Sequence, residues 1–249
     1  NPINDTLSCG FYRCESPLGG SYIVGEDGDF ATLAEATEKA WRCGIQGDVH
    51  LWVRAGVYEG SWLMEGEIPG SSDSSRLYIS SLDNCADSVV FIQDSNSTLW
   101  GCLTLSRVSH LVFEQLTLVG NQATKAAFSI ALHLKDSCAD IQVHGCRLVV
   151  KPAQASISMY AAVYAADMSS SGVVFSDNDF CDGSYGIYLQ GRSPISAIRG
   201  LRLLRNNFQG QATYSLYLNR VVFDTIFGNK ASNFFLQGVQ GNLIAANRL

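Results

Sequence analysis

The sequence predicts an all-β fold: a single-stranded parallel β-helix with one capping α-helix near its N-terminus. Three observations predict it. The first is a six-residue phrase, apolar–any–any–Asn or small–any–apolar, that returns about every 18–32 residues along the second half of the chain. Its copies are Val143-His144-Gly145-Cys146-Arg147-Leu148, Phe175-Ser176-Asp177-Asn178-Asp179-Phe180, Leu203-Leu204-Arg205-Asn206-Asn207-Phe208, Ile226-Phe227-Gly228-Asn229-Lys230-Ala231 and Ile244-Ala245-Ala246-Asn247-Arg248-Leu249, with Phe113-Glu114-Gln115-Leu116-Thr117-Leu118 as an earlier, degenerate copy. A repeated supersecondary unit marks a solenoid. The second observation is that the units are short alternating apolar runs separated by Gly, Asn, Asp and Ser, which reads as strand and bend. Coils of this kind bury their apolar side only once they stack on one another. The third is a lone helix signal placed just before the repeats, where an open solenoid end needs cover.

Taken in chain order, residues 1–20 form a lead-in segment with a turn at Ser16-Pro17-Leu18-Gly19-Gly20, and the β-helix domain occupies 21–249. Tyr22-Ile23-Val24 is the first strand and Gly25-Glu26-Asp27-Gly28-Asp29 a turn. Thr32-Leu33-Ala34-Glu35 is a capping box that opens a helix over roughly 32–42. Phe30, Leu33, Ala36, Ala40 and Trp41 share its apolar face, and Gly44 stops it. Strand-like runs follow at 49–53, 76–79, 89–92, 103–105 and 110–113. From residue 128 each coil shows a leading strand (130–134, 163–165, 187–189, 216–218, 234–236) and then the repeated phrase. Insertions at 119–127, 150–159 and 190–200 lengthen some coils, and such loops gather on one side of a solenoid.

The repeated asparagine has a structural task. Asn tolerates left-handed backbone angles at a bend, and stacked amides about 4.8 Å apart can bond from coil to coil. Cys146 stands in this slot as a buried small residue. The other cysteines are Cys9, Cys14, Cys43, Cys85, Cys102, Cys138 and Cys181; none forms a C-x-x-C pair or lies at ligand spacing from a histidine, which argues against zinc. Cys9 and Cys14 lie close enough in sequence to bridge in an exported protein, although connectivity is not readable from spacing.

The chain has 249 residues, 47% of them hydrophobic, and a net charge of −6 without a Lys/Arg cluster. That is ample for one core and excludes nucleic acid as an expected partner. No apolar run reaches the ~18 residues that a membrane span requires. The sequence opens on Asn1-Pro2-Ile3-Asn4-Asp5 rather than on a basic and apolar leader, so an export signal is expected to have been removed or to lie outside it. It closes on a regular repeat, residues 244–249, with no cap behind it. Further coils, a capping segment, or self-association through the C-terminal coil are therefore expected.

Alternation fixes which side chains leave the core. In the leading strands Leu132, Val163, Ile187, Leu216 and Phe234 stack inward, as do Leu134, Ala165, Leu189, Leu218 and Leu236. His133, Tyr164, Tyr188, Tyr217 and Phe235 must then point outward as a ladder. Beside them lie Lys135, Asp167, Gly191, Asn219 or Arg220, and Gln237. Aromatic rings flanked by amides and charges suit a polysaccharide or host glycan, because sugar rings stack on aromatic faces and their hydroxyls need polar partners. The plainer alternative is that these rings pack under long loops or on one another.

Several stretches resemble known β-helices. Tyr22-Ile23-Val24-Gly25-Glu26-Asp27-Gly28-Asp29-Phe30-Ala31-Thr32-Leu33-Ala34-Glu35-Ala36 is similar to the opening of pectin-lyase-like right-handed parallel β-helices. Residues 44–58 resemble their next step, with Asp48 and Ala55 in place of the usual prolines. Gly183-Ser184-Tyr185-Gly186-Ile187-Tyr188-Leu189 is similar to coils of large surface β-helix proteins of Bacteroidetes-type bacteria. The resemblance covers about 21–249 and implies right-handedness and an extracellular, cell-surface or periplasmic location. This fold hosts lyases, esterases, epimerases and adhesins, so it does not by itself choose an activity. Asp224-Thr225-Ile226-Phe227-Gly228-Asn229-Lys230-Ala231 is similar to the pectin methylesterase strand whose aspartate is the nucleophile, which makes Asp224 the one catalytic candidate. That family's second aspartate has no counterpart in the Tyr185-Gly186-Ile187 step, and no later arginine matches. Lyase chemistry would add a Ca²⁺ held by grouped carboxylates; Glu26, Asp27 and Asp29 are the grouped set, although Asp27-Gly28 also reads as a plain turn. The expected function is glycan binding without catalysis and without a cofactor. The alternative is a polysaccharide lyase or esterase.

Overall fold

The computed structural model describes Cys14 and residues 16–248 of the chain. It is a right-handed parallel β-helix whose central coils contribute strands to three parallel sheets. In one coil these are Ser129–Lys135 in a leading sheet, Ser137–His144 in a middle sheet and Arg147–Val149 in a third sheet. In the next coil a single long strand, Tyr160–Ser176, runs through the leading and middle sheets before Asp179–Cys181 joins the third. The first strand, Leu18–Val24, pairs with Ile45–Val53 at the N-terminal end of the middle sheet.

The expected inward rows are present. Leu132 pairs with Val163, Val163 with Ile187, Ile187 with Leu216 and Leu216 with Phe234. In the middle sheet Val143, Phe175, Leu203, Ile226 and Ile244 stack, and in the third Leu118, Leu148, Phe180 and Phe208. Like residues repeat at like positions because each coil meets the same environment one strand spacing along. At the last described coil this cover ends, and Leu236 and Ile244 are exposed.

The helix spans Leu33–Cys43 and lays Leu33, Ala36 and Ala40 on the end of the core. Thr32 Oγ1 accepts from Glu35 N, and the Glu35 carboxylate accepts from Ala31 N at 3.0 Å. The Trp41 indole N–H donates to Gly66 O at 2.9 Å and pins the helix to the coil beneath. A disulfide joins Cys14 to Cys43, at the end of the helix. Cys14 therefore does not bridge to Cys9, which lies outside the described residues. Proximity in sequence misled here: the chain before the first strand runs alongside the helix C-terminus.

The asparagines form the expected ladder. Asn178 Nδ2 donates to Asn206 Oδ1, Asn206 Nδ2 to Asn229 Oδ1 and Asn229 Nδ2 to Asn247 Oδ1, at 2.9–3.0 Å. Each Nδ2 also donates to a strand carbonyl of the preceding coil: Val143, Phe175, Leu203 and Ile226 in turn. Cys146 extends the ladder, its thiol directed at Phe113 O and its amide donating to Asn178 Oδ1. One detail differs from expectation. The left-handed residue at this bend is the one before the ladder: Gln115, Gly145, Asp177, Arg205, Gly228 and Ala246 all have φ between 54° and 69°. The ladder residue must point inward to reach its neighbours, so the preceding residue absorbs the turn.

Candidate functional site

The outward ladder of the leading sheet stands in the expected register: His133 pairs with Tyr164, Tyr164 with Tyr188, Tyr188 with Tyr217 and Tyr217 with Phe235. From Tyr164 to Phe235 successive rings lie face to face, whereas His133 is tilted by 50° against Tyr164. Tyr188 and Tyr217 are 4.3 Å apart at 1°, and Tyr217 and Phe235 4.6 Å apart at 4°. One strand spacing separates these side chains, which is also the stacking distance of aromatic rings. The ladder thus covers its own ring faces and presents edges and hydroxyls outward.

A second aromatic row escaped the sequence reading. Tyr185 and Tyr214 are paired in the next outward column and meet Tyr188 and Tyr217 edge-on or tilted. The strands bend between Ile130 and Leu132, so Ile130, Ala161 and Tyr185 leave the core and form a small outer apolar cluster with Tyr164. The insertions cover this part of the face. Tyr160 Oη donates to Ala126 O, Ser156 Oγ meets Tyr185 Oη at 2.6 Å, and Lys151 Nζ donates to Ala123 O and Thr124 O.

The polar flank is shifted from the expected positions in two coils. Gln190, not Gly191, pairs with Asn219, and Asn219 pairs with Gln237. Likewise Ala166, not Asp167, is the residue two beyond Tyr164, and Gly191 pairs with Met168 after an irregularity in the long strand. Tyr188 Oη lies 3.1 Å from Gln190 Oε1.

Towards the N-terminal coils the face opens into a groove of about 620 Å³. Its floor continues the ladder through His133 and Thr104, which are paired. Trp100 forms one wall; its indole stacks on the His133 imidazole at 5.6 Å and 15° and remains 44% exposed. Lys135, Asp136, Asp167 and Arg192 form the rim. Asp136 and Asp167 both hold left-handed backbone angles, φ 60° and 53°, at the bend between leading and middle sheets, which turns their carboxylates outward. Asp136 Oδ2 accepts from Ser106 Oγ at 2.9 Å, and Arg192 Nε donates to Asp167 O at 3.1 Å. Burial, with a smaller contribution from the Lys135 charge, pushes the His133 pKa down to about 4, so its ring is neutral at ordinary pH. Thr104 Oγ1 is buried in the floor without a hydrogen-bond partner among the described residues. Trp100 and Thr104 were missed because they precede the coils in which the repeat is regular.

The other candidates lie elsewhere. Asp29 accepts from Ile23 N at 2.7 Å and closes the turn that contains Asp27, itself left-handed at φ 56°; Glu26, Asp27 and Asp29 are not brought together as a ligand set. Among the described residues the group with ligand spacing is His110 and Asp140 on the middle sheet with Asp73 from the turn at 72–75. There Arg76 Nε already donates to Asp140 Oδ2 at 2.7 Å, and the His110 ring meets the same oxygen at 2.9 Å. Asp224 is exposed on that sheet too, beside a shallow pocket that also contains Arg202 and His144. Its sequence context is shared with the ladder, since Asn229 of the same phrase is a ladder residue.

No protein-family profile matches the chain, and no curated protein matches it. Solved structures do. A pectin methylesterase from Aspergillus niger, in penultimately deglycosylated and in deglycosylated form, superimposes with TM-score 0.55 over 92% of this chain and 87% of that one, at 14% and 12% identity. Pectin methylesterase PemA from Erwinia chrysanthemi aligns with TM-score 0.43 at 14% identity, over 90% of this chain and 67% of that one. The protein therefore shares the parallel β-helix fold of the Aspergillus niger structures.

Proposed function

We propose that this protein is an exported β-helix that binds polysaccharide along its leading sheet, with the Trp100 groove as the principal subsite. The observation that carries this reading is the pairing, in one groove, of a half-exposed indole with the unpartnered Thr104 hydroxyl below it. A sugar ring offers an apolar face for the indole and a hydroxyl for the threonine. Lys135, Asp136, Asp167 and Arg192 supply both signs of charge for the remaining hydroxyls and for any uronate carboxylate. Beyond the groove, the edges of Tyr188, Tyr217 and Phe235 with the amides of Gln190, Asn219 and Gln237 extend a strip along which a chain can lie. The Cys14–Cys43 disulfide fits an oxidising compartment, and no described helix is long and apolar enough to cross a membrane.

One observation favours the enzymatic alternative: two carboxylates from successive coils, Asp136 and Asp167, share the groove with Arg192. An ester-cleaving site with a carboxylate nucleophile needs groups of these types. Affinity electrophoresis on pectins, alginates and host glycans, with parallel assays for methanol and for unsaturated or shortened products, separates the two readings. Retention without product supports binding. Product formation lost in Asp136→Asn or Asp167→Asn would replace it with catalysis. Absence of retention on every glycan, with Trp100 fluorescence unmoved, refutes both.

A further inference from the structure

The middle sheet carries a chain of hydrogen bonds that the glycan reading does not use. His144 and Ser176 are register partners on its outer face. His144 Nδ1 lies 2.6 Å from Ser176 Oγ, His144 Nε2 lies 3.1 Å from Gln142 Oε1, and Gln142 Nε2 donates to Asp140 Oδ1 at 2.9 Å. The polarity of this chain follows from its far end. A carboxylate only accepts, so the Gln142 amide nitrogen must face Asp140 and its oxygen must face His144. His144 Nε2 is then the protonated nitrogen. In the neutral ring Nδ1 is the acceptor, and the Ser176 hydroxyl donates to it. Asp140 is itself fixed by Arg76 and His110. Burial would raise its pKa, but the bonds from Arg76, Gln142 and His110 outweigh that and hold its carboxyl below the usual range. Burial lowers the His144 pKa, partly offset by the Glu114 and Asp177 carboxylates, so the imidazole rests neutral and able to accept a proton.

The surroundings leave room for a substrate. Ser176, 7% exposed, lines a pocket of about 460 Å³ with Val174, Leu204 and Arg202. Gly172 and Gly200, both at φ 66°, stack at the next outward position and keep the floor bare between Asp140 and Asp224. We propose that Ser176 and His144 are the nucleophile and general base of an ester-hydrolysing site on the middle sheet, acting on short-chain carboxylic esters, with Gln142 as the positioning residue that sets the imidazole tautomer. This rests on a different face from the glycan groove and stands or falls separately.

The step balances without a co-reactant other than water. Ser176 Oγ attacks the acyl carbon as its proton passes to His144 Nδ1. The tetrahedral adduct collapses, the ester C–O bond breaks, and the alcohol leaves with that proton. Water then attacks the acyl-serine, giving one proton through Nδ1 back to Ser176 Oγ and releasing the acid. The Arg202 guanidinium lines the same pocket and is the cation available to the developing oxyanion.

The test is covalent labelling of the intact chain with diisopropyl fluorophosphate, mapped by peptide mass spectrometry, together with p-nitrophenyl acetate turnover. One adduct is expected, on Ser176. Ser176→Ala should abolish it and lower turnover by roughly a thousandfold or more, and His144→Gln should slow labelling by about a hundredfold. Gln142→Met should slow labelling and move its acid limb to lower pH, because the imidazolium loses an acceptor; a merely structural role would not move that limb. An unlabelled Ser176 in folded wild-type protein, alongside a fully labelled reference serine esterase, overturns the proposal, as does turnover that survives Ser176→Ala. Should a variant misfold, the wild-type adduct map still decides.

Discussion

Replacing Asn206 by alanine should be among the most damaging single changes to the outer half of the solenoid. Asn206 is 1% exposed, and its amide makes four hydrogen bonds: Nδ2 to Phe175 O and Asn229 Oδ1, and Oδ1 from the backbone and side-chain nitrogens of Asn178. Two of the partners keep other bonds, since Asn178 Nδ2 still reaches Val143 O and Asn229 Oδ1 still accepts from Asn206 N. The Phe175 carbonyl keeps its place in the ladder between paired strands, whereas the Asn178 backbone N–H is left buried and unpaired. At about 1–3 kcal/mol for a buried orphaned group, the expected loss is about 1–3 kcal/mol. Asn206→Cys is the informative control, because Cys146 fills the same slot naturally with its thiol directed at a strand carbonyl; it should recover part of the loss. Urea unfolding followed by circular dichroism gives the total, and hydrogen exchange at the Asn178 amide reports the local effect even if the coils do not unfold together. A loss below about 1 kcal/mol, with Asn178 exchange unchanged, would refute the assignment of the ladder as a structural element.

Four further outcomes follow. Trp100→Ala should weaken glycan retention with little change in melting temperature, because the indole is half exposed; an unchanged affinity counts against the groove. Tyr217→Ala should instead cost about 1–3 kcal/mol of stability, since its ring stacks on both Tyr188 and Phe235 and each such pair contributes about 0.5–1.5 kcal/mol. Reducing Cys14–Cys43, which closes a separation of 29 residues, should remove about 3–4 kcal/mol, read as a fall in melting temperature with dithiothreitol. His133 is held neutral with its pKa lowered from 6.5 to about 4, so the stability it contributes is present above pH 6.5 and is lost as pH falls towards 4; the melting temperature should drop over that window, and His133→Gln should flatten the drop.

The fold was legible because a solenoid turns sequence position into spatial position. Once the copies of the phrase are aligned, each column is a row of stacked side chains, and the inward rows, the aromatic ladder and the asparagine ladder follow directly. What was not legible came from departures of one residue. Strict alternation puts Ala166 and Gln190, not Asp167 and Gly191, two residues beyond Tyr164 and Tyr188, so the expected flank was one residue too far along in those two coils. The left-handed position fell on the residue before each asparagine. Trp100 lies outside the regular coils, so no column contained it. The disulfide depends on a lead-in segment that no periodicity governs.

The same column logic contained the Ser176 site in plain view. His144 and Ser176 occupy the second place of successive copies of the phrase, so their contact was implied by the alignment itself. It went unread because the phrase was followed through its apolar and asparagine positions, and its second place was left as any residue. What makes it chemical is the neighbouring column of left-handed residues, His110, Asp140, Gly172 and Gly200. Such a residue interrupts alternation and swings its side chain out of the sheet, which brings the Asp140 carboxylate to Gln142 and Arg76. Where the column changes to glycine the same geometry leaves a floor with no side chains. A single backbone device, repeated over four coils, thus builds the anchored acceptor at one end and the vacant space at the other, and Ser176 sits beside that space. Filling it is a direct check: Gly172→Asn tolerates the left-handed angle better than most side chains and should block diisopropyl fluorophosphate at Ser176 while the β-sheet circular dichroism stays unchanged. Labelling at the wild-type rate would mean that the reagent reaches Ser176 by another path, and that the bare glycine floor is not where a substrate rests.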